Sequence, residues 1–376
     1  MSRTYGKAQD LIDFTRASGA TYLDSDGVLK TASNNIPRIE YDADGNLLGL
    51  LVEESRTNLA PYSEPKVLNL GTSAEVSDGD FGGSLDLANG IHFGDNSVNR
   101  YAYSQTTTTA GIDYTFSVFV KMDDGSEPNV SNPTNGDFSI VISGSVVTVL
   151  ADISVTPMGN NVYRVSGTRT TTIVNSNNGI IKYTSQSSKG FTITGFQIEQ
   201  ASFPTSYIKT SGSTATRSAD VASLSTSAFG YNADAGSLIA EGKYLARNVT
   251  NRYGRVVGLA TATTERFGVY DDPNSTTEYV RYYARSDSAT AILGPDNLAG
   301  SDELNVKIGF GFAKDNLLIS GGGEQASSSS GTFATDIAKL WIGSETGNSQ
   351  FINGHIKSIK YIPRRLTNAQ LQELTS

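Results

Sequence analysis

Apolar and polar positions alternate in short runs along most of the chain. In YTFSVFVKM, Tyr114, Phe116, Val118 and Val120 fall on one side of a period of two, and Thr115, Ser117 and Lys121 on the other. Phe119 is the one apolar residue on the polar side. Such alternation predicts half-buried β-strands. Similar runs follow at Phe138 to Leu150, Asn161 to Val174, Gly179 to Ser185 and Phe191 to Gln200. A second series begins near Ala219 with GSLIAEGKYLA, RVVGLATATTERFGVY, TEYVRYYARS, LNVKIGFGF and DNLLISGGG. Clusters of Gly, Asn and Pro separate the runs, supplying left-handed turn conformations and ending strand pairing. Many short strands at regular spacing predict β-sandwiches.

The first sixty residues carry a denser set of turn signals. Asp26-Gly27 and Asp44-Gly45 each sit between segments able to pair, the strongest short-range hairpin signal in a sequence. Near the end, Thr367 and Gln370 form a capping-box pattern, and Leu371 with Leu374 gives one apolar stripe. A single short C-terminal helix is predicted there. The expected fold class is therefore all-β: a hairpin-rich N-terminal arm over 1–62, a jelly-roll sandwich over 63–217 and a second antiparallel sandwich over 218–376. A chain of 376 residues exceeds what one hydrophobic core usually supports. The Ser/Thr/Gly connector leading to Arg217 marks the second boundary; Thr216-Arg217-Ser218 also faintly echoes Thr15-Arg16-Ala17.

Composition narrows the chemistry. There is no cysteine, which removes disulfides, thiolate metal sites and cysteine nucleophiles together. The net charge of -9 opposes binding to phosphate backbones, so no nucleic-acid partner is expected. No stretch approaches the roughly 20 apolar residues of a membrane-spanning helix, and no apolar secretory run opens the chain.

Enzyme motifs are lacking. His92 and His355 are the only histidines, and neither lies in a recognisable nucleophile context; each reads as a strand or turn residue at a sheet rim. There is no G-x-S-x-G elbow, no phosphate loop and no H-E-x-x-H pair. Glu53-Glu54 is the most concentrated acidic pair, but neighbours on a strand point to opposite faces and do not flank one bond. With Arg56 nearby they read as structural ion-pair residues. Asp24-Ser25-Asp26-Gly27 and Asp42-Ala43-Asp44-Gly45-Asn46 resemble calcium loops, yet their glycine comes too early for a twelve-residue loop, so turn chemistry is the reading. No catalytic residue, metal site or cofactor is assigned.

A sugar would be held by aromatic faces with polar side chains beside them. Strand alternation in TEYVRYYARS places Tyr279, Arg281 and Tyr283 on one face, the first candidate surface. In VNRYAYSQ, Tyr101 and Tyr103 share a face opposite Arg100, the second candidate. The setting of Trp341, Leu340-Trp341-Ile342-Gly343, reads as the core strand of the last sandwich rather than a binding site.

Three segments carry a resemblance. FTRASGATYLDSDGVLKTA, PRIEYD and GLLVEESRTNL closely resemble the N-terminal segment of tail-fibre, head-fibre and spike-like virion proteins of tailed bacteriophages. TFSVFVKM, NVYRVSGT and ITGFQIEQASFPTSYIKTSGSTATRSAD resemble their carbohydrate-binding-module-like jelly roll. LWIG and FINGHIKSIKYIPRRLTNAQLQEL resemble the end of concanavalin or laminin-G-like lectin domains. The resemblance implies a non-enzymatic virion appendage on the capsid or tail surface, binding a host cell-surface polysaccharide and other virion proteins. It also implies a homo-oligomer, often a trimer, though no long heptad pattern is present. The alternatives are a structural decoration or connector protein without ligand, and a polysaccharide depolymerase.

Overall fold

A computed structural model describes residues 11–87, 89–95, 97–130, 135–149, 152–244, 254–260, 266–271, 280–285, 291–293, 304–329 and 337–376. Among the described residues the ladders are antiparallel and one α-helix, Asn368–Thr375, lies at the C-terminal end. The all-β expectation holds.

The first sandwich pairs a five-stranded and a six-stranded sheet. The five-stranded sheet runs Ser145–Val146, Ser139–Ile142, Asn177–Lys182, Arg100–Gln105, Gly71–Thr72. The six-stranded sheet runs Ile153–Gly159, Val162–Thr170, Asp113–Met122, Phe191–Glu199, Asn89–Phe93, Val76–Asp80. Phe116, Val118 and Val120 meet Phe138, Ile140 and Ile180 between the sheets, all essentially buried. Each such side chain stabilises by about 1.5–3 kcal/mol relative to exposure.

Phe119, on the other side of that strand, explains itself once the N-terminal residues are placed. It packs in a second cluster with Leu23, Phe81 and Tyr207, its ring edge-on to Tyr207 at 5.5 Å. The hairpin Ala20–Leu23 and Leu29–Ala32 thus docks on the outside of the six-stranded sheet through this cluster. Gly195 makes room: its φ is +69°, and a Cβ there would lie 2.3 Å from the Phe119 ring.

The rest of the N-terminal segment is woven into the second sandwich. Ile39–Tyr41 and Leu47–Val52 extend a seven-stranded sheet beside Gly354–Ile362. Asp13–Thr15 pairs with Val221–Ser225 in the facing four-stranded sheet, and Arg56–Asn58 pairs with Ala215–Arg217. The segment expected as an arm therefore supplies strands to the C-terminal half, with Leu50 and Val52 inside its core.

Local chemistry forms these hairpins as the sequence predicts. The Asp24 carboxylate accepts the N–H groups of Asp26 and Val28, and Gly27 takes φ +71°. Asp42 does the same for Asp44 and Asn46, with Gly45 at φ +79°. These carboxylates hold their own turns. At the C-terminus, the Thr367 hydroxyl accepts from the Gln370 N–H at 3.2 Å, the Gln370 side chain accepts from the Thr367 N–H at 3.1 Å, and Leu371 is fully buried.

Candidate functional site

The strand Arg100–Gln105 turns alternate residues in opposite directions. Arg100, Ala102 and Ser104 are buried, while Tyr101 and Tyr103 are half-buried on the outer face of the five-stranded sheet. Their rings stack on each other with centroids 4.9 Å apart and planes 18° from parallel. Opposite Tyr103, both neighbouring strands carry glycine: Gly179 on one side and Gly71 on the other. Tyr103 therefore has no side chain at either residue directly opposite it in the register. Opposite Tyr101 stands Ile181, half-buried.

Gly179 is needed for the ladder itself, since a Cβ there would lie 2.1 Å from the Ala102 carbonyl oxygen. At Gly71 the room is taken by the exposed Gln105, whose amide nitrogen would lie 2.4 Å from an added Cβ. The Gln105 side-chain amide oxygen also accepts from the Ser176 hydroxyl at 3.5 Å. Burial raises the Tyr103 hydroxyl above the ordinary tyrosine range, with Tyr183 and Tyr101 adding to it. It stays protonated at physiological pH, a neutral donor beside aromatic faces. Stacked apolar rings bordered by an amide and hydroxyls can hold the C–H face of a pyranose while bonding its hydroxyls.

Arg100, on the reverse side, braces the sheet edge. It donates to the Asp95 carbonyl and carboxylate, the Ser97 hydroxyl and the Glu75 carbonyl.

The first sequence candidate is placed only in part. Tyr279 lies outside the described residues. Arg281 and Tyr283 lie in the strand Val280–Arg285, opposite Tyr270 and Gly268; the side-chain face proposed for them is outside what is described. Two further expectations change. His355 is not at a sheet rim: its strand lies between Ala235–Tyr244 and Leu47–Val52, it is 1% exposed, and it bonds Glu40 at 2.7 Å. Trp341 sits on a core strand, but Leu340 and Ile342 take the core positions and the indole faces outward, half-buried.

A second constellation was only half legible. Glu53 and Asp220 lie among Arg16, Arg38 and Arg217, all buried. Arg38 bridges Glu53 at 2.8 Å and Asp220 at 2.5 Å; Arg16 reaches Asp220 at 3.0 Å, and Arg217 lies 3.5 Å from Glu53. Glu53 also accepts from the Ser206 N–H at 2.8 Å and hydroxyl at 2.6 Å. Burial works to raise the Glu53 carboxyl, but Arg217, Arg38 and Ser206 outweigh it and hold it well below the usual carboxylate range. Glu54 turns away to pair with Arg56. The faint echo between Thr15-Arg16 and Thr216-Arg217 marks two arginines of this one cluster. Every carboxylate oxygen in it is engaged within the fold, so its chemistry is cohesion of the arm with both sandwiches.

No family model matches the chain, and no curated protein matches its sequence. Among solved structures it is similar to Trypanosoma rangeli sialidase in complex with the inhibitor DANA, at 14% identity and a TM-score of 0.30. That likeness covers 41% of this chain and 26% of the sialidase, so the chain spans about a quarter of that protein's length. At such a score it carries no inference about fold or function. The chain is an all-β protein of two antiparallel sandwiches, joined through a buried arginine–carboxylate cluster.

Proposed function

We propose that the chain is a non-enzymatic adhesive component of a bacteriophage appendage, binding a host cell-surface polysaccharide on the outer face of its first sandwich. The observation that carries the binding part is the stacked Tyr101–Tyr103 pair, with Tyr103 between the glycines of both flanking strands. The virion part rests on the resemblance of the first sixty residues. In this reading the protein sits on the capsid or tail surface, assembles with other virion proteins and forms a homo-oligomer.

The test is a glycan array with purified protein, beside the Tyr101→Ala, Tyr103→Ala double variant. Saturable binding to a bacterial surface polysaccharide, lost in the variant while the fold is retained, supports the reading. Binding to no polysaccharide overturns it. Shortening of the polymer during incubation would instead establish a depolymerase.

A second reading, a structural connector without ligand, is favoured by the buried cluster that ties the first sixty residues to both sandwiches. Particles that fall apart without the protein, together with a silent array, would select it.

A further inference from the structure

The outer face of the four-stranded sheet in the second sandwich carries an arrangement independent of the tyrosine pair. Across this face, Trp341 stands between Ser223 and Gly258, its partners on the two adjacent strands. Both neighbours are small, so the large half-buried ring rises above them. Gly347, at φ +76°, brings the loop after the strand against the six-membered ring: a Cβ there would lie 2.8 Å from it. Two residues before Trp341, on the same face, Lys339 places its ammonium 5.2 Å from the indole centroid and 3.4 Å from the Ser223 hydroxyl. Among the described residues, no carboxylate lies within ion-pair distance of Lys339. An aromatic surface with an unneutralised cation over its ring, on a chain of net charge -9, matches a ring that is apolar on one face and carries an anion at its rim.

We propose that Trp341, Lys339 and Ser223 form a second saccharide site, on the other sandwich, selective for carboxylated sugars of the uronic-acid class. The pyranose stacks on the indole, its carboxylate pairs with the Lys339 ammonium, and the Ser223 hydroxyl bonds a ring substituent. Two sites on one chain would let a single polymer be held at both, which raises avidity without further contacts.

Trp341 is the only tryptophan in the chain, so its fluorescence reports this site and is blind to Tyr101 and Tyr103. The experiment titrates the full chain with galacturonate oligomers and, in parallel, with neutral dextran oligomers. The expected result is a saturable change in tryptophan emission with the galacturonates only. It should weaken about tenfold in Lys339→Met, as expected for loss of one charge-assisted contact, and weaken with added salt. The thermal midpoint of Lys339→Met should match the parent, since the side chain lies on the outer face. No emission change with galacturonates, or an equal response to dextran that Lys339→Met leaves unaltered, overturns the site. Loss of glycan-array binding in the tyrosine variant with this titration intact separates failure of the first site from failure of the second.

Discussion

Arg16 and Asp220 are 204 residues apart in sequence and form a 3.0 Å ion pair with both side chains fully shielded from solvent. The Arg16 guanidinium also donates to the Ser33 and Ile36 carbonyls, so it fixes the N-terminal turn and the start of the last sandwich at once. Removing Arg16 takes the partner from Asp220 Oδ1 while Arg38 still holds Oδ2, so the loss is that of a buried charge-assisted hydrogen bond, about 1.5–3 kcal/mol. Arg16→Met is expected to lower stability by that amount in urea unfolding. A double-mutant cycle with Asp220→Asn should return a coupling of about 0.5–3 kcal/mol; additive costs would mean that the pair contributes only packing.

Tyr101→Ala and Tyr103→Ala remove half-buried rings from an outer face and leave the core strand partners in place. Each is expected to reduce polysaccharide binding severalfold, in line with about 0.5–1.5 kcal/mol for a lost aromatic contact. The check is the dissociation constant alongside a thermal melt. A stability loss as large as that of a core truncation, with binding unchanged, would show the pair to be packing alone.

How much of this was readable differs by element. The strands of the first sandwich were legible because one face of each is apolar, and the Asp-Gly turns because their side chains act on their own backbone. Phe119 on a polar face was the sequence's one sign that something covers the six-stranded sheet, but nothing local names the hairpin that does so. The destination of the N-terminal strands was hidden for the same reason: pairing of Leu47–Val52 with Gly354–Ile362 joins segments some three hundred residues apart, and period-two patterning carries no partner information. Trp341 was misplaced because Leu340-Trp341-Ile342 is apolar on both faces, and alternation cannot say which face a continuous apolar run buries. Tyr101 and Tyr103 were found as a pair; the glycines beside Tyr103 needed the register.

Gly179 is predicted to be intolerant of any side chain. An added Cβ would meet the Ala102 carbonyl oxygen at 2.1 Å, and relief requires opening the ladder beneath Tyr103. Gly179→Ala should destabilise by about 3 kcal/mol, the upper end for overpacking, and impair polysaccharide binding with it. Gly94→Ala is the control: nothing lies within 4 Å of a Cβ there, so its effect should stay within about 0.5 kcal/mol.

At the C-terminus, Thr367→Ala deletes the hydroxyl that caps the helix Asn368–Thr375. The expected cost is about 1 kcal/mol. Since Leu371 is fully buried on the seven-stranded sheet, local fraying should show as faster amide exchange at Gln370 and Leu371, with the rest of the sheet unchanged.

Acid should weaken the cluster first at Glu53. Its carboxyl is held below the ordinary glutamate value because Arg217, Arg38 and Ser206 favour the ionised form more than burial opposes it. A depressed carboxyl contributes stability that is complete above the unfolded-state value, roughly 4.3, and declines as pH falls below it toward the folded-state value. The raised value of Arg38, where burial is outweighed by Glu53 and Asp220, has the opposite sign: its contribution is complete below the arginine range and fades only in strong alkali, leaving neutral pH untouched. Unfolding free energy should therefore be flat near neutrality with respect to this cluster and fall between about pH 4.3 and pH 2. Glu53→Gln removes the titrating group, so the gap in stability between parent and variant should narrow steadily over that interval. A gap that stays constant from pH 7 to about pH 2.5 would show that Glu53 draws no net stabilisation from its arginines.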